Sequence, residues 1–190
     1  MRALVVLTIV ATTLVVSRVL PHPPNFVPVV ATTLFGAACV NRRWHALAVP
    51  LLGMLASDVA LEVGARLIAY GGWMASVRGF YPGMWYVYGA LACVAFLGMW
   101  LQHRRNLWPA AGVTLGGSLV YFVLTNLGVW ISSDLYPHDW HGLVACYVAA
   151  LPFYRNQLAA DVLFAPILVG GYVLTQRRWP ALGATTPENL

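Results

Sequence analysis

Six stretches of this chain are almost entirely apolar, and short polar segments separate them. They cover approximately residues 3–20, 26–40, 45–63, 84–101, 109–131 and 157–175. A helix needs about 20 apolar residues to cross the hydrocarbon core of a bilayer, and it satisfies its own backbone hydrogen bonds there. The runs therefore predict an all-α polytopic membrane protein with six transmembrane helices in one domain.

The composition excludes an ordinary soluble domain. Hydrophobic residues make up 60% of the chain and charged residues 9%, whereas about a quarter of a soluble domain is charged. A shorter apolar piece, Gly142 to Pro152, is predicted to form a separate re-entrant or interfacial helix before the last span, ended by Pro152. Residues 1–180 then form the membrane domain, and residues 181–190 a polar cytoplasmic tail.

The distribution of arginine predicts the orientation. All eleven basic residues are Arg. Seven of them fall at every second helix end, namely Arg2, Arg42, Arg43, Arg104, Arg105, Arg177 and Arg178. By the positive-inside rule that side is cytoplasmic, so both termini are expected there. The net charge of +5 is thus a topology signal, and because the Arg pairs form no continuous stripe, no nucleic-acid partner is expected.

Polar residues within the apolar runs are the main indication of function. Counting along the helices places Asp58, Asn126 and Asp161 at one level in the outer half of the bilayer, with Arg155 just above Asp161. Acidic groups in lipid normally face a partner or a water-filled cavity. We expect these four residues to line a cavity open to the outside. The other interpretation is structural ion pairs, such as Asp58 with Arg66 or Asp161 with Arg155.

Aromatic residues are concentrated toward the same outer side. Of these, Trp85, Tyr88, Trp130 and Tyr147 are predicted to form walls on which a flat organic solute stacks. Aromatic belts at both membrane surfaces explain part of this enrichment equally well.

The sequence gives little support for catalysis or for a metal site. It contains neither H-E-x-x-H nor G-x-S-x-G, and Asp58 and Asp161 lack the G-x-G-D context of an intramembrane aspartyl protease. The pair His138 and His141, close to Asp134 and Asp139, is a weak ligand pattern. We therefore expect no enzyme activity, no metal and no cofactor.

Several segments together resemble a family of small bacterial membrane proteins without an assigned function. The segments are P-P-N-F-V-P (23–28), L-A-S-D (55–58), Y-V-Y-G (86–89), T-N-L-G-V-W (125–130) and C-Y-V-A-A-L-P-F-Y-R-N (146–156), followed by Asp161. The resemblance extends from Val19 to about Val173. That family is grouped with the substrate-binding S components of energy-coupling-factor (ECF) vitamin importers.

The resemblance implies a six-helix protein of the bacterial inner membrane that binds a vitamin-like solute beneath an outer loop. It also implies a separate coupling subunit and two ATPases. Helix 1 departs from the pattern, since Thr8, Ala11 and Thr12 only approximate the A-x-x-x-A motif, and residues 64–83 lack the cysteine of a related cobalamin importer. The resulting hypothesis is uptake of a small organic solute. A membrane scaffold or assembly subunit is the alternative, followed by an intramembrane enzyme.

Overall fold

The computed structural model of the chain describes residues 2–40, 42–67, 79–101 and 107–178. The predicted tail at 181–190 lies outside these ranges. Within them the protein is all-helical, as predicted, and has six helices. They are α1 (Arg2–Val19), α2 (Val29–Ala38), α3 (Arg43–Leu67), α4 (Met84–Leu101), α5 (Leu107–Ser132) and α6 (Trp140–Arg178).

Apolar side chains cover much of the outside of the bundle as well as its interior. In the described part of the chain, three helical segments are long and apolar enough to cross a membrane, namely Arg43–Arg66, Met84–Leu101 and Ala111–Ser132. Less than half of each segment is buried inside the protein. Since soluble monomers rarely expose large apolar patches, the outward apolar faces of α3, α4 and α5 are those expected against lipid.

Helix α2 lies at the centre of the bundle. It contacts all five other helices, and every residue from Val29 to Ala37 is buried. A helix that is hydrophobic on all sides is a buried helix. Its 10 residues extend over about 15 Å, roughly half the thickness of the hydrocarbon core. The sequence predicted a longer run over 26–40, so α2 as observed is too short to cross a bilayer on its own.

The late start of α2 follows from the segment before it. Asn25 has a φ of 60°, a left-handed conformation that interrupts regular structure. Pro28 occupies the N-cap position with a ψ of 53° and without a side-chain hydrogen bond of its own. The helix therefore begins only at Val29, three residues later than the apolar pattern indicated.

Helix α6 corrects the prediction of a separate short helix at 142–152. The structure shows one helix of 39 residues that contains both Pro152 and Pro166. Proline removes one hydrogen bond and commonly bends a helix, but a neighbouring helix can hold the two halves in line. Here Tyr147 and Tyr154, on either side of Pro152, both contact the Phe122 ring of α5. Packing against α5 thus stabilises α6 on both sides of Pro152.

Candidate functional site

A buried ion pair joins α1 to α3. Arg18 Nη1 donates to Asp58 Oδ1 at 2.5 Å, and the same nitrogen contacts the hydroxyl of Ser57 and the sulfur of Met54. The Asp58 side chain is 1% exposed and that of Arg18 is 13% exposed. Because Arg18 belongs to the last turn of α1, this ion pair lies near one end of the bundle.

Tyrosine and glycine residues enclose the ion pair on the side of α4. The Tyr88 hydroxyl donates to Asp58 Oδ2 at 2.6 Å, so both carboxylate oxygens are bonded. Gly79 approaches the backbone of α3 so closely that a Cβ on it would lie 1.9 Å from the Asp58 carbonyl oxygen. We call Arg18, Ser57, Asp58 and Tyr88 the Asp58 cluster, with Gly79 covering it.

Tyr81, just before α4, also lies within electrostatic range of the ion pair. Burial of the phenol raises its pKa, the Asp58 carboxylate raises it further, and Arg18 lowers it. Nevertheless 39% of the residue surface is exposed. Tyr81 therefore stands between the Asp58 cluster and the outside of the bundle, with part of its ring open to the surroundings.

A second buried carboxylate, Asp161, holds the start of α2. Its Oδ1 accepts hydrogen bonds from the backbone amides of Val30 at 3.1 Å and Ala31 at 3.0 Å. Its Oδ2 accepts from the Ser118 hydroxyl at 2.8 Å and from Gln157 at 3.5 Å. The first amides of a helix lack partners within the helix, and a negative charge is favoured there. Asp161 of α6 thus serves as the N-cap that Pro28 cannot provide.

The two carboxylates belong to separate hydrogen-bond networks. The partners of Asp58 come from α1 and α4, whereas those of Asp161 come from α2, α5 and α6. In the described part of the chain, every buried side-chain nitrogen and oxygen has a hydrogen-bond partner. The Tyr121 phenol lies within electrostatic range of both carboxylates, but among the described residues no side chain donates to both of them.

Neither of the ion pairs suggested by the sequence, Asp58 with Arg66 and Asp161 with Arg155, forms in the structure. Arg66 pairs with Glu62, one turn away on α3, at 3.0 Å, and Asp58 pairs with Arg18. Asp161 bonds to backbone amides and to uncharged side chains, while Arg155 lies in an exposed groove on α6. Counting residues along a helix gives the depth of a side chain in the bilayer but not the direction in which it points around the helix axis. That direction decides which partner the side chain contacts.

The remaining predicted site residues lie at separate places. Asn126 donates to the Phe122 carbonyl on its own helix. Trp85 is 78% exposed in the first turn of α4. Trp130 donates to the Pro137 carbonyl, and Tyr147 donates to the Val123 carbonyl. Of the four aromatic residues predicted as stacking walls, Tyr88 is the one bonded to a buried charge; their role toward a solute stays a prediction.

Sequence reasoning missed the contact of Arg18 with Asp58. A signal was present, because Arg18 lies 16 residues after the start of α1 and Asp58 lies 15 residues after the start of α3. At 1.5 Å per residue both stand about 23 Å from the same end of the bundle. Ser118 and Gln157 carried no comparable signal, since only the packing of α6 on α5 brings them to Asp161.

The described part of the chain contains no group of side chains arranged as a metal site. Within the described ranges, no three His, Cys, Asp or Glu side chains come together as metal ligands do. No disulfide bond joins the cysteines Cys39, Cys93 and Cys146, all of which lie within the described residues. What the site offers is one guanidinium, one carboxylate and one phenol in a buried setting, a set suited to hydrogen bonding of a polar organic group.

Comparison with known proteins identifies a family. No curated protein and no solved structure matches the chain. One family model does match, over residues 1–182, and its description is "Family of unknown function (DUF6580)". Since the match covers nearly the whole sequence, including every helix described above, the chain belongs to DUF6580, a family of unknown function.

Proposed function

We propose that this protein is an S-component-like integral membrane protein that binds a small, vitamin-like organic solute from the outer side for import. The observation that carries the proposal is the meeting of Arg18, Asp58 and Tyr88 at one end of the bundle. Asp58 and Tyr88 lie in two of the segments, 55–58 and 86–89, on which the resemblance to the membrane-protein family grouped with S components rests.

Energetics favour a role for the Asp58 cluster beyond stability. Removing two charges from water costs several kcal/mol per ion, so a buried ion pair is often no more stabilising than apolar residues of the same volume. A chain selected only for packing would have no need of Arg18 and Asp58. A bound solute with a carboxylate, amide or heterocyclic nitrogen would take over hydrogen bonds that these groups now make to one another.

The segment from Gly79 to Tyr81, which covers the Asp58 cluster, offers a route for a solute to enter and leave. Gly79 contacts the backbone of Asp58, and the partly exposed Tyr81 lies beside the ion pair. Movement of this short segment would open the cluster without unwinding a helix. We place this end of the bundle on the outer side, with six membrane-crossing segments and both termini in the cytoplasm, as the Arg distribution predicts. A separate coupling subunit and its ATPases would supply the energy.

The test is native mass spectrometry of the full chain purified in detergent. We expect a small molecule to co-purify with the wild-type protein and to be lost in Asp58→Asn. The matched control is Glu62→Gln, one turn further along α3 in an ion pair with Arg66, which should keep the ligand. Tyr88→Phe removes a single hydroxyl and should weaken binding about tenfold, as expected for a hydrogen bond to a charged group.

Thermal unfolding of each variant separates ligand loss from misfolding. The proposal requires Asp58→Asn to remain folded, with a cooperative transition, while the ligand is absent. If the wild-type protein carries no solute, or if Asp58→Asn carries as much as Glu62→Gln does, solute binding at this cluster is excluded.

One observation favours a membrane scaffold or assembly subunit as the second candidate. The carboxylates of Asp58 and Asp161 are both fully bonded within the protein, and two shallow surface grooves are lined by other residues. Under this alternative the wild-type protein carries no solute, and Asp58→Asn changes stability alone. The same mass spectra and melting curves therefore decide between the two functions.

A further inference from the structure

We propose that the groove around Arg155 on α6 binds the headgroup of an anionic phospholipid. The groove has a volume of about 500 Å³ and is lined by Val148, Leu151, Pro152, Arg155 and Asn156. The inference rests on the membrane placement proposed above and is independent of solute binding at the Asp58 cluster.

Arg155 is a cation on an otherwise apolar surface. Its neighbours Val148 and Leu151 are 59% and 52% exposed, and they lie two turns and one turn before it, respectively, on the same face of α6. Among the residues that the structure describes, no carboxylate comes within ion-pair distance of Arg155. A guanidinium beside hydrocarbon requires an anion or water, and an anionic headgroup satisfies its charge as well as its hydrogen bonds.

The proline in the groove supplies an acceptor next to this donor. Pro152 lies inside α6 and has no N–H, so the Val148 carbonyl lacks the partner that a helix normally provides four residues later. The groove thus combines a guanidinium donor with a backbone carbonyl acceptor. The headgroup of phosphatidylglycerol presents matching parts, namely a phosphodiester and hydroxyls.

The depth of Arg155 suits the headgroup region. Ser118 bonds to Asp161, and its neighbour Gly117 lies against Val94 at the middle of α4, so Asp161 is close to mid-bilayer. Arg155 precedes Asp161 by six residues, or about 9 Å toward the start of α6. Helical side chains lean toward the N-terminus, and a long Arg side chain reaches outward. Its guanidinium therefore approaches the boundary of the hydrocarbon, about 15 Å from the centre.

The experiment uses the full chain in detergent, titrated with dioleoylphosphatidylglycerol or dioleoylphosphatidylcholine and followed by native mass spectrometry. We expect the phosphatidylglycerol complex to be the stronger one, and Arg155→Gln to weaken it about tenfold, as for the loss of a charge-assisted hydrogen bond. Arg66→Gln removes an exposed arginine from α3 and should leave it unchanged.

Several results would overturn the assignment. Equal lipid binding by Arg155→Gln and Arg66→Gln would place the lipid elsewhere. Displacement of the lipid by millimolar inorganic phosphate would identify a site for the free anion, and a dimer persisting in excess phosphatidylglycerol would identify a second copy as the occupant. Solute retention in Arg155→Gln, measured in the same spectra, keeps the outcome distinct from that of the Asp58 cluster.

Discussion

Asp161 supplies the helix cap that the residue before α2 does not provide. Helices usually begin with Ser, Thr, Asp or Asn, whose side chain bonds the first free amides. Helix α2 begins after Pro28 instead, and a carboxylate from α6 bonds the amides of Val30 and Ala31. The contact is buried, and the carboxylate has two further donors in Ser118 and Gln157. Asp161 thereby couples the start of α2 to α5 and α6.

Replacing Asp161 by Ala should destabilise the protein by about 3 kcal/mol, because two buried amides and the Ser118 hydroxyl lose their acceptor. Asp161→Asn keeps one acceptor oxygen and should cost about 1 kcal/mol. The measurement is the free energy of unfolding of the detergent-solubilised protein. Ser118→Ala, which removes a single donor, is the control for a local change. A loss below about 0.5 kcal/mol for Asp161→Ala would contradict the capping role.

At the scale of the elements, close contact between α2 and its neighbours depends on glycine. A Cβ on Gly98 of α4 would lie 2.7 Å from the Ala37 Cβ and 3.0 Å from the Leu34 carbonyl oxygen, both on α2. Real Cβ atoms are not found so close to other carbon atoms, so α4 can approach α2 only because residue 98 lacks a side chain. Gly116 of α5 has open space around it.

These two glycines give a matched pair of substitutions. Gly98→Ala should destabilise the protein by about 1–3 kcal/mol, since α4 must move away from α2. Gly116→Ala meets no neighbour and should be neutral or stabilise by up to about 1 kcal/mol through helix propensity. Chemical or thermal unfolding of the two variants under identical conditions measures the difference. Similar effects of both substitutions would show that the α2–α4 contact is looser than described.

At the scale of the whole molecule, the apolar surface defines the environment of the protein. Side chains such as Phe96, Leu119 and Ile167 are more than half exposed on α4, α5 and α6, while the charged Asp58 and Asp161 are buried. This inversion of the soluble pattern is the one expected in lipid, where buried polar groups must find partners inside the protein. Charged residues at the helix ends then determine the orientation.

The proposed orientation can be tested by cysteine labelling in intact bacterial cells. On a background without Cys39, Cys93 and Cys146, Asp134→Cys in the α5–α6 loop should react with a membrane-impermeant maleimide from outside. Arg42→Cys, before α3, should react only after the membrane is permeabilised, because in the proposed orientation the arginine-rich side faces the cytoplasm. Both positions are exposed. The reverse pattern would invert the topology and place the Asp58 cluster on the inner side.

Much of the architecture follows from the sequence, since the length of apolar runs directly reflects the thickness of a bilayer. The six helical regions and their order are confirmed, and the start and end of the fourth helix, Met84 and Leu101, match the prediction. The start of α2 and the continuity of α6 through Pro152 could not be predicted from the apolar runs. Both depend on contacts from other helices, which a local pattern does not contain.

The sequence by itself determined an all-helical chain with apolar helices, two acids within the apolar runs and a biased distribution of arginine, because each of these is a property of composition along one dimension. Only the tertiary structure decided that Asp58 meets Arg18 and Tyr88 while Asp161 caps α2. Partner choice depends on how each helix is rotated about its axis, and side-chain packing around the whole bundle sets that rotation.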